Sequence, residues 1–296
     1  MKEVGIVIVT YNRLNLLQEV IEALRLQTYK NNQIIVINNG STDNTLDWLE
    51  LQKDIITITQ ENLGGAGGFF TGMKYVAENE YKYCWIMDDD VICNPTALEE
   101  LITAYQIKND IGFVCSKVEG IDGCPMNTPS VDESPTPNGY ANYYEFIDKQ
   151  MIKVRMATFV SVFLSCERIY ELGLPYKEYF IWGDDSEYTS RISRKYDCYM
   201  ACKSIVVHKR TIQQGLSFDT ETDPIRLKNY FYMFRNKAHR EFIGSSYSKK
   251  IIYITRLLQQ SIKYLIVGQI NRFQILFKVI WKLIDFNPSI CYPIRN

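Results

Sequence analysis

The first ninety or so residues alternate short apolar β-branched runs with helical stretches, separated by polar breaks and without an internal sequence repeat. Residues 2–10 (KEVGIVIVT) are apolar on both alternations, the pattern of a strand buried on both faces. The run breaks at Tyr11-Asn12-Arg13, where Asn12 is placed to cap a helix whose Leu17, Val20, Ile21 and Leu24 follow the 3.6-residue period. Residues 33–38 give a second strand ending in Asn39-Gly40-Ser41-Thr42-Asp43. A short helix (44–51) and a third strand (54–59) follow. A glycine-rich loop (61–68), a further helix and a fourth strand ending in Asp88-Asp89-Asp90 complete the series. Strands alternating with helices at this spacing require βαβ units around a mostly parallel sheet, an α/β fold. Right-handed crossovers make 3-2-1-4 the natural strand order. Ligands of such sheets bind beyond the carboxyl ends of the strands where the order reverses. Residues 10–13, 38–41 and 88–90 share that rim.

Downstream, a helix (95–107) and a strand (112–117) precede a loop rich in breaks (119–139), which reads as mobile and, at this length, as either functional or disordered. Residues 154–165 read as one or two strands, 167–172 as a short helix, and 204–207 as a strand delivering His208. From residue 242 onward eight basic residues face one acid, Asp285, a net +7 that leaves −8 for residues 1–241. Within this tail Ile251, Ile254, Leu257, Leu258, Ile262, Leu265 and Ile266 fall at helical spacing. Phe273, Leu276, Phe277, Ile280 and Trp281 do so in a second helix. Basic amphipathic helices lie on anionic membrane surfaces, or pack on the body of their own protein or another subunit. No apolar run is long enough to span a bilayer and no cationic, apolar leader opens the chain. The eight scattered Cys, without a CxxC pair, read as reduced thiols. The expected location is therefore cytoplasmic, peripheral on the inner face of the cell membrane.

Three adjacent acids repel one another, and a packed core excludes them unless a cation lies among them. In an extended chain Asp88 and Asp90 share a side while Asp89 points away. The pair reads either as metal ligands or as a solvated acidic turn capping the helix near Pro95. His208 would add a nitrogen, which suits Mn²⁺ somewhat better than Mg²⁺, or is an ordinary structural histidine. Residues 62–68 (NLGGAGG) are neither a Walker sequence nor a dinucleotide fingerprint. They open a helix whose N–H groups favour an anion, although glycine clusters also serve plain turns. Carboxylates beside a diphosphate would repel it without an intervening cation, so nucleotide, metal and reaction form one consistent reading. Asp184-Asp185 is a second carboxylate pair: a general base, or an N-cap with Glu187 in the first turn. Trp182 beside it is either core or a platform for a sugar ring.

In their order along the chain, IVIVTYNR (6–13), IVINNGSTDNT, NLGGAGGF, WIMDDD, GLPYKEYFIWGDDSEYTSRI and VVHKR resemble the inverting GT-A-fold glycosyltransferases of family 2. The resemblance covers about residues 4–240. NLGGAGGF (62–69) is most similar to the branch that uses UDP-galactofuranose. NYFYMFRN (229–236) is similar to a segment shared by galactofuranosyl- and rhamnosyltransferases.

The resemblance implies a role for each matching position. Thr10, Tyr11, Asn12 and Arg13 would line the nucleotide pocket, and Asn38, where the family has Asp, would face the base. Asn62, Gly65, Gly67 and Gly68 would contact the donor, with Asp88 and Asp89 flanking it. Asp88, Asp90 and His208 would hold Mn²⁺ or Mg²⁺. Asp185 would be the catalytic base, and Trp182, Gly183, Asp184 and Glu187 would bind the acceptor.

The implied activity is single-displacement transfer of galactofuranose from UDP-galactofuranose to a hydroxyl of a glycan or lipid-linked glycan in bacterial surface polysaccharide synthesis. Transfer of rhamnose from a dTDP donor is the alternative within the class. A sugar-nucleotide pyrophosphorylase would want a basic glycine-rich loop right after the first strand, which residues 11–13 do not supply. A non-catalytic nucleotide- or metal-binding scaffold is the reading from another class. The expected organisation is a GT-A domain (1–241), with a nucleotide-binding half to about residue 118 and an acceptor half over 140–241. A basic helical extension (242–296) would meet anionic membrane. No nucleic-acid partner is expected, and a homo-oligomer is left open.

Overall fold

The computed structural model describes residues 2–210, 217–243 and 245–295. The chain divides into two compact units, residues 1–177, 185–213 and 290–296 in one, residues 178–184 and 214–289 in the other.

The first unit is built on a ten-stranded sheet. In chain order its elements are β1 (Val4–Thr10), α1 (Leu14–Arg25), β2 (Asn32–Asn38), α2 (Thr45–Glu50), β3 (Ile55–Thr59), α3 (Gly64–Glu78) and β4 (Tyr83–Asp88). There follow β5 (Val91–Cys93), α4 (Ala97–Tyr105), β6 (Ile111–Glu119), β7 (Ser130–Val131), β8 (Met151–Met156), β9 (Val162–Ser165), α5 (Cys166–Leu172), α6 (Asp184–Ser193) and β10 (Asp197–His208). The strand order is β3-β2-β1-β4-β9-β6-β10-β8-β7, with β5 also on β10. The 3-2-1-4 order expected from right-handed crossovers is present, and its pairings are parallel. Beyond β4 the sheet is mixed: β9 runs antiparallel to both β4 and β6, while β6 and β10 are parallel.

Both faces of β1 are covered, as its unbroken apolar run requires. Ile6 and Ile8 pack on the face shared with Leu17, Val20, Ile21 and Leu24 of α1 and with Leu98 and Leu101 of α4. Val7 packs on the other face with Phe69, Met73 and Val76 of α3. Glycine lets α3 approach this closely: a Cβ on Gly72 would fall 2.2 Å from Val7 Cγ1, and one on Gly68 would fall 2.3 Å from Val9 Cγ1. A buried polar chain crosses the middle of the sheet. Trp85 Nε1 donates to Ser161 Oγ at 2.9 Å, Ser116 Oγ lies 2.7 Å from Ser161 Oγ and 2.8 Å from Ser204 Oγ, and Ser204 donates to Ala97 O. Those bonds tie β4, β6, β10 and the segment before β9 to α4, fixing a mixed register that hydrophobic contact alone would leave loosely specified.

The second unit consists of α7 (Pro224–Phe242), α8 (Tyr247–Ile266) and α9 (Ile270–Lys282) with residues 178–184. Phe218, Tyr230, Leu257, Tyr264, Leu276 and Val279 form its core. The helical tail therefore splits its apolar residues between two faces. Leu257 and Tyr264 turn inward, whereas Ile251, Leu258, Ile262 and Leu265 of α8 and Ile270, Phe277 and Trp281 of α9 remain exposed.

Candidate active site

Asp88 is the last residue of β4, and Asp89 and Asp90 lie in the turn beyond it. His208 is the last residue of β10, which pairs antiparallel with β5 so that His208 sits opposite Val91. Lys209 N donates to Asp90 O at 2.8 Å, drawing the two strand ends together. One ligand atom from each of Asp88, Asp90 and His208 lies within 4.8 Å of the others.

The three acids have separate partners. Asp89 is buried, accepting from Thr10 Oγ1 at 2.8 Å and from Arg13 Nη1 at 3.0 Å. The same Arg13 nitrogen reaches Asp90 Oδ2 at 3.1 Å. His208 Nε2 stands 3.1 Å from Asp90 Oδ1, yet that oxygen is buried with no well-directed hydrogen bond. On the other side of the ring, Nδ1 is 2.9 Å from Asn127 Oδ1. An amide oxygen only accepts, so Nδ1 carries a proton, and a neutral ring would then present its Nε2 lone pair to Asp90. Two lone pairs facing each other call for a cation, either a proton or a metal ion.

The electrostatics agree with that need. Burial, with Asp90 adding its charge, pushes the Asp88 carboxyl up to about 7. Burial likewise raises Asp89, against the pull of Arg13. For Asp90 burial opposes ionisation, but His208 and Arg13 outweigh it and hold the carboxylate below its ordinary value. For His208 burial favours the neutral ring, but Asp90 and Asp88 prevail and raise it. An orphaned carboxylate oxygen, a second carboxylate reluctant to ionise alone and an oriented imidazole fit a divalent cation, with hard oxygen ligands and one nitrogen.

The rest of the rim is ordered by asparagines. Asn12 adopts a left-handed backbone (φ 53°) and its Oδ1 accepts from Thr42 N at 2.7 Å, so it joins β1 to the β2–α2 loop. The expected N-cap role is not filled by it: Arg13 holds that position, with no side-chain cap bond. Tyr11 is exposed beside it. Asn38 Oδ1 accepts from Ser41 N at 3.1 Å, shaping the turn after β2. Asn39, which the sequence did not single out, is buried. It accepts from Leu63 N and Gln60 Nε2 and donates to Gly64 O and Asn62 Oδ1. Asn62 Oδ1 also accepts from Gly64 N at 2.9 Å. Gly65 faces open space, while Gly67 and Gly68 are tight against Leu63 and Val9. Because Val9 also pairs with Asp88, the amino end of α3 and the acid cluster adjoin one residue of β1.

The second acid pair begins α6. Asp184 is buried and Asp185 half-buried. Asp185 Oδ1 accepts from Ser186 N at 2.5 Å and from Ser186 Oγ at 3.1 Å. Thr189 Oγ1 lies 2.7 Å from Asp185 O and also bonds Ala157, which anchors this turn to the segment after β8. Glu187 is buried with both carboxylate oxygens on Arg191, at 3.1 and 2.7 Å. Arg191 also donates to Leu172 O and Leu174 O. This pairing ties α6 to the segment after α5. Trp182 and Gly183 lie in the loop before α6, Trp182 edge-on to Tyr230 at 5.2 Å. A shallow depression along α5, lined by Glu167, Arg168, Tyr170, Glu171 and Arg295, lies among other residues, and its charges pair with one another.

A model of the family described as glycosyl transferase family 2 matches residues 5–168, more than half of the chain. The chain belongs to glycosyl transferase family 2. Among curated members, an uncharacterised glycosyltransferase of Haemophilus influenzae is 34% identical over 145 residues, covering 45% of this chain and 44% of that one. Galactofuranosyltransferase GlfT1 of Mycobacterium tuberculosis is 24% identical over 227 residues, 73% of this chain and 67% of its own. This family 2 chain thus matches less than half the length of the Haemophilus relative and of one from Nostoc. Among solved structures, GalNAc-T7 with UDP, GalNAc and Mn²⁺ shares the fold at a TM-score of 0.59 and 14% identity, over 80% of this chain and 47% of that one. Staphylococcus aureus TarS (1–349) in complex with UDP does so at 0.57 and 12%, over 85% and 68%.

Proposed function

We propose that this family 2 protein is an inverting glycosyltransferase that moves galactofuranose from UDP-galactofuranose to a hydroxyl of a glycan or lipid-linked glycan. The observation that carries the reading is the meeting of Asp88, Asp90 and His208 within 4.8 Å at the strand ends. The motif resemblance and the similarity to GlfT1 support the choice of sugar and nucleotide, and the fold is one shared with proteins solved with UDP. Asp88, Asp90 and His208 would hold a divalent cation, which in such a site supplies counter-charge to a departing diphosphate. The chain's own residues do the remainder. Arg13 opposes the effect of burial on Asp89 and Asp90, and Thr10 fixes Asp89. Asn39 and Asn62 shape the start of α3, whose first-turn amides favour an anion. Asp185 takes the proton from the acceptor hydroxyl as its oxygen attacks the anomeric carbon opposite the leaving group, inverting configuration.

The second apolar stripes of α8 and α9 support a peripheral position on an anionic membrane, where a lipid-linked acceptor would be found. Lys249, Lys250, Arg256, Lys263 and Lys278 accompany the exposed Ile251, Leu258, Ile262, Leu265, Phe277 and Trp281. Among the described residues no helix is long and apolar enough to cross a membrane. The test is release of nucleoside diphosphate with Mn²⁺ and either UDP-galactofuranose or dTDP-rhamnose, products read by mass with alkyl glycoside acceptors. Turnover of the UDP donor is expected. Turnover of dTDP-rhamnose alone would replace the sugar, and turnover of neither would refute both the galactofuranosyl and the rhamnosyl reading.

A further inference from the structure

The loop that leads into the acid pair has a backbone that needs explaining. Phe180, Trp182 and Gly183 all lie in the left-handed region, at φ 64°, 61° and 96°. Glycine tolerates this, whereas a phenylalanine and a tryptophan do not unless surrounding groups impose it.

Two neighbouring residues of α7 impose it. Asn236 Nδ2 donates to three carbonyls, Tyr179 O at 2.9 Å, Ile181 O at 3.2 Å and Trp182 O at 2.8 Å. Arg235 Nη2 donates to Glu178 O at 2.6 Å and Tyr179 O at 3.3 Å. The guanidinium also grips the amide: Nε and Nη2 reach Asn236 Oδ1 at 3.1 and 2.8 Å. That contact fixes which way the amide points, since its oxygen faces a cation and its nitrogen faces carbonyls. Both side chains are buried, Arg235 6% and Asn236 1% exposed. Among the described residues Arg235 makes no ion pair with a carboxylate. It lies over the Phe286 ring at 3.8 Å, and burial pulls it down to about 10. The rings follow the same design, with Phe180 stacked on Tyr232 at 4.8 Å and the Tyr179 hydroxyl 2.8 Å from His239 Nδ1.

A desolvated guanidinium spent on main-chain carbonyls, holding two bulky residues in a disfavoured conformation, is costly as a means of folding a loop. Such strain is retained where one geometry matters. We propose that Arg235 and Asn236 are positioning residues: they fix the 178–183 backbone and thereby the placing of Trp182 and Asp184, the residues of this unit that the motif resemblance gives to the acceptor. This rests on the transferase reading with Trp182 and Asp184 toward the acceptor, and neither Arg235 nor Asn236 is assigned contact with substrate.

The test uses the full chain and two near-isosteric variants. Asn236→Asp keeps size and the contact with Arg235 but turns an oxygen toward three carbonyls. Arg235→Lys keeps the charge but cannot reach Glu178, Tyr179 and Asn236 together. Three readouts are taken: kcat for UDP-galactofuranose with n-octyl β-galactoside, the Kd for UDP with Mn²⁺, and hydrogen exchange of the peptide spanning 178–186. The expected result is a kcat lowered about 100-fold in Asn236→Asp and less in Arg235→Lys, as for an acceptor misplaced by about 1 Å. UDP affinity should stay within about two-fold, and exchange should accelerate in the 178–186 peptide but not in β4. Wild-type kcat and exchange in both variants would overturn the proposal, as would UDP affinity falling in step with kcat. A wild-type protein that does not turn over UDP-galactofuranose would refute the galactofuranosyl reading itself, and unchanged exchange in the 178–186 peptide of both variants would then still overturn this role.

Discussion

His208 Nε2 lies 3.1 Å from Asp90 Oδ1 while, across the ring, Nδ1 lies 2.9 Å from Asn127 Oδ1. Asn127 thus decides which nitrogen keeps the proton and which offers a lone pair. Replacing it with Ala should weaken Mn²⁺ binding about 10- to 100-fold, the usual effect of removing the partner that orients a ligating histidine. Calorimetric titration with Mn²⁺ measures this, and an unchanged affinity would show that Asn127 does not set the tautomer.

The same cluster ties metal affinity to pH. Asp88, pushed up to about 7 by burial, and His208, raised by Asp90 and Asp88 against the effect of burial, retain protons that a metal must displace. Apparent Mn²⁺ affinity should therefore climb between about pH 6 and pH 8 and then level. Asp90, already held low, adds no slope there. In the metal-free protein both raised groups take up protons on folding, so their contribution to stability falls as pH rises: for Asp88 from about 4 to about 7, for His208 from about 6.5 upward. A flat affinity profile would contradict the assignment.

The half of the fold carrying the donor rim was legible because β1 to β4 are local units. Each β-branched run is followed by its own helix, and handedness then leaves one strand order. What lies beyond β4 depends on distant partners. Residues 162–165 are apolar on both alternations, which suits a buried strand in either direction. The sequence does not say that β9 enters antiparallel between β4 and β6. The spacing of Asp88 and Asp90 pointed to shared ligation by strand alternation. The strand instead ends at Asp88, and a turn closed by Lys209 brings Asp90 round. Asn39 and Asn127 carried no periodic signal, since their function is to bond loops remote in sequence. Glu187 reads as a site residue from its neighbours, and its pairing with Arg191 carried no signal in the sequence.

The serine chain at the centre of the sheet should contribute measurably to stability. Ser116→Ala leaves Ser161 and Ser204 each short of a buried partner. The expected cost is about 1–3 kcal/mol. It should appear as a lower urea midpoint with an unchanged slope. A cost within about 0.5 kcal/mol would place the register elsewhere, in packing alone.

Asp185→Asn removes the proposed proton acceptor while keeping its shape. Turnover should fall by about 10²–10⁴-fold, the range for loss of a positioned base. UDP affinity in the presence of Mn²⁺ should stay within about two-fold, since Asp185 is assigned no part in donor binding. Turnover at the wild-type rate would remove Asp185 from that role.

The most direct measurement is the calorimetric Kd of UDP with Mn²⁺ present and with Mn²⁺ chelated, in the wild-type protein and in Asp90→Asn. If Asp88, Asp90 and His208 hold the cation that meets a diphosphate, chelation should weaken UDP binding at least about 10-fold in the wild type. Asp90→Asn should bind weakly in both conditions, because loss of one partner from a buried charged cluster leaves the site unable to hold the ion. UDP binding equally tight with and without metal, or undiminished in Asp90→Asn, would contradict the account.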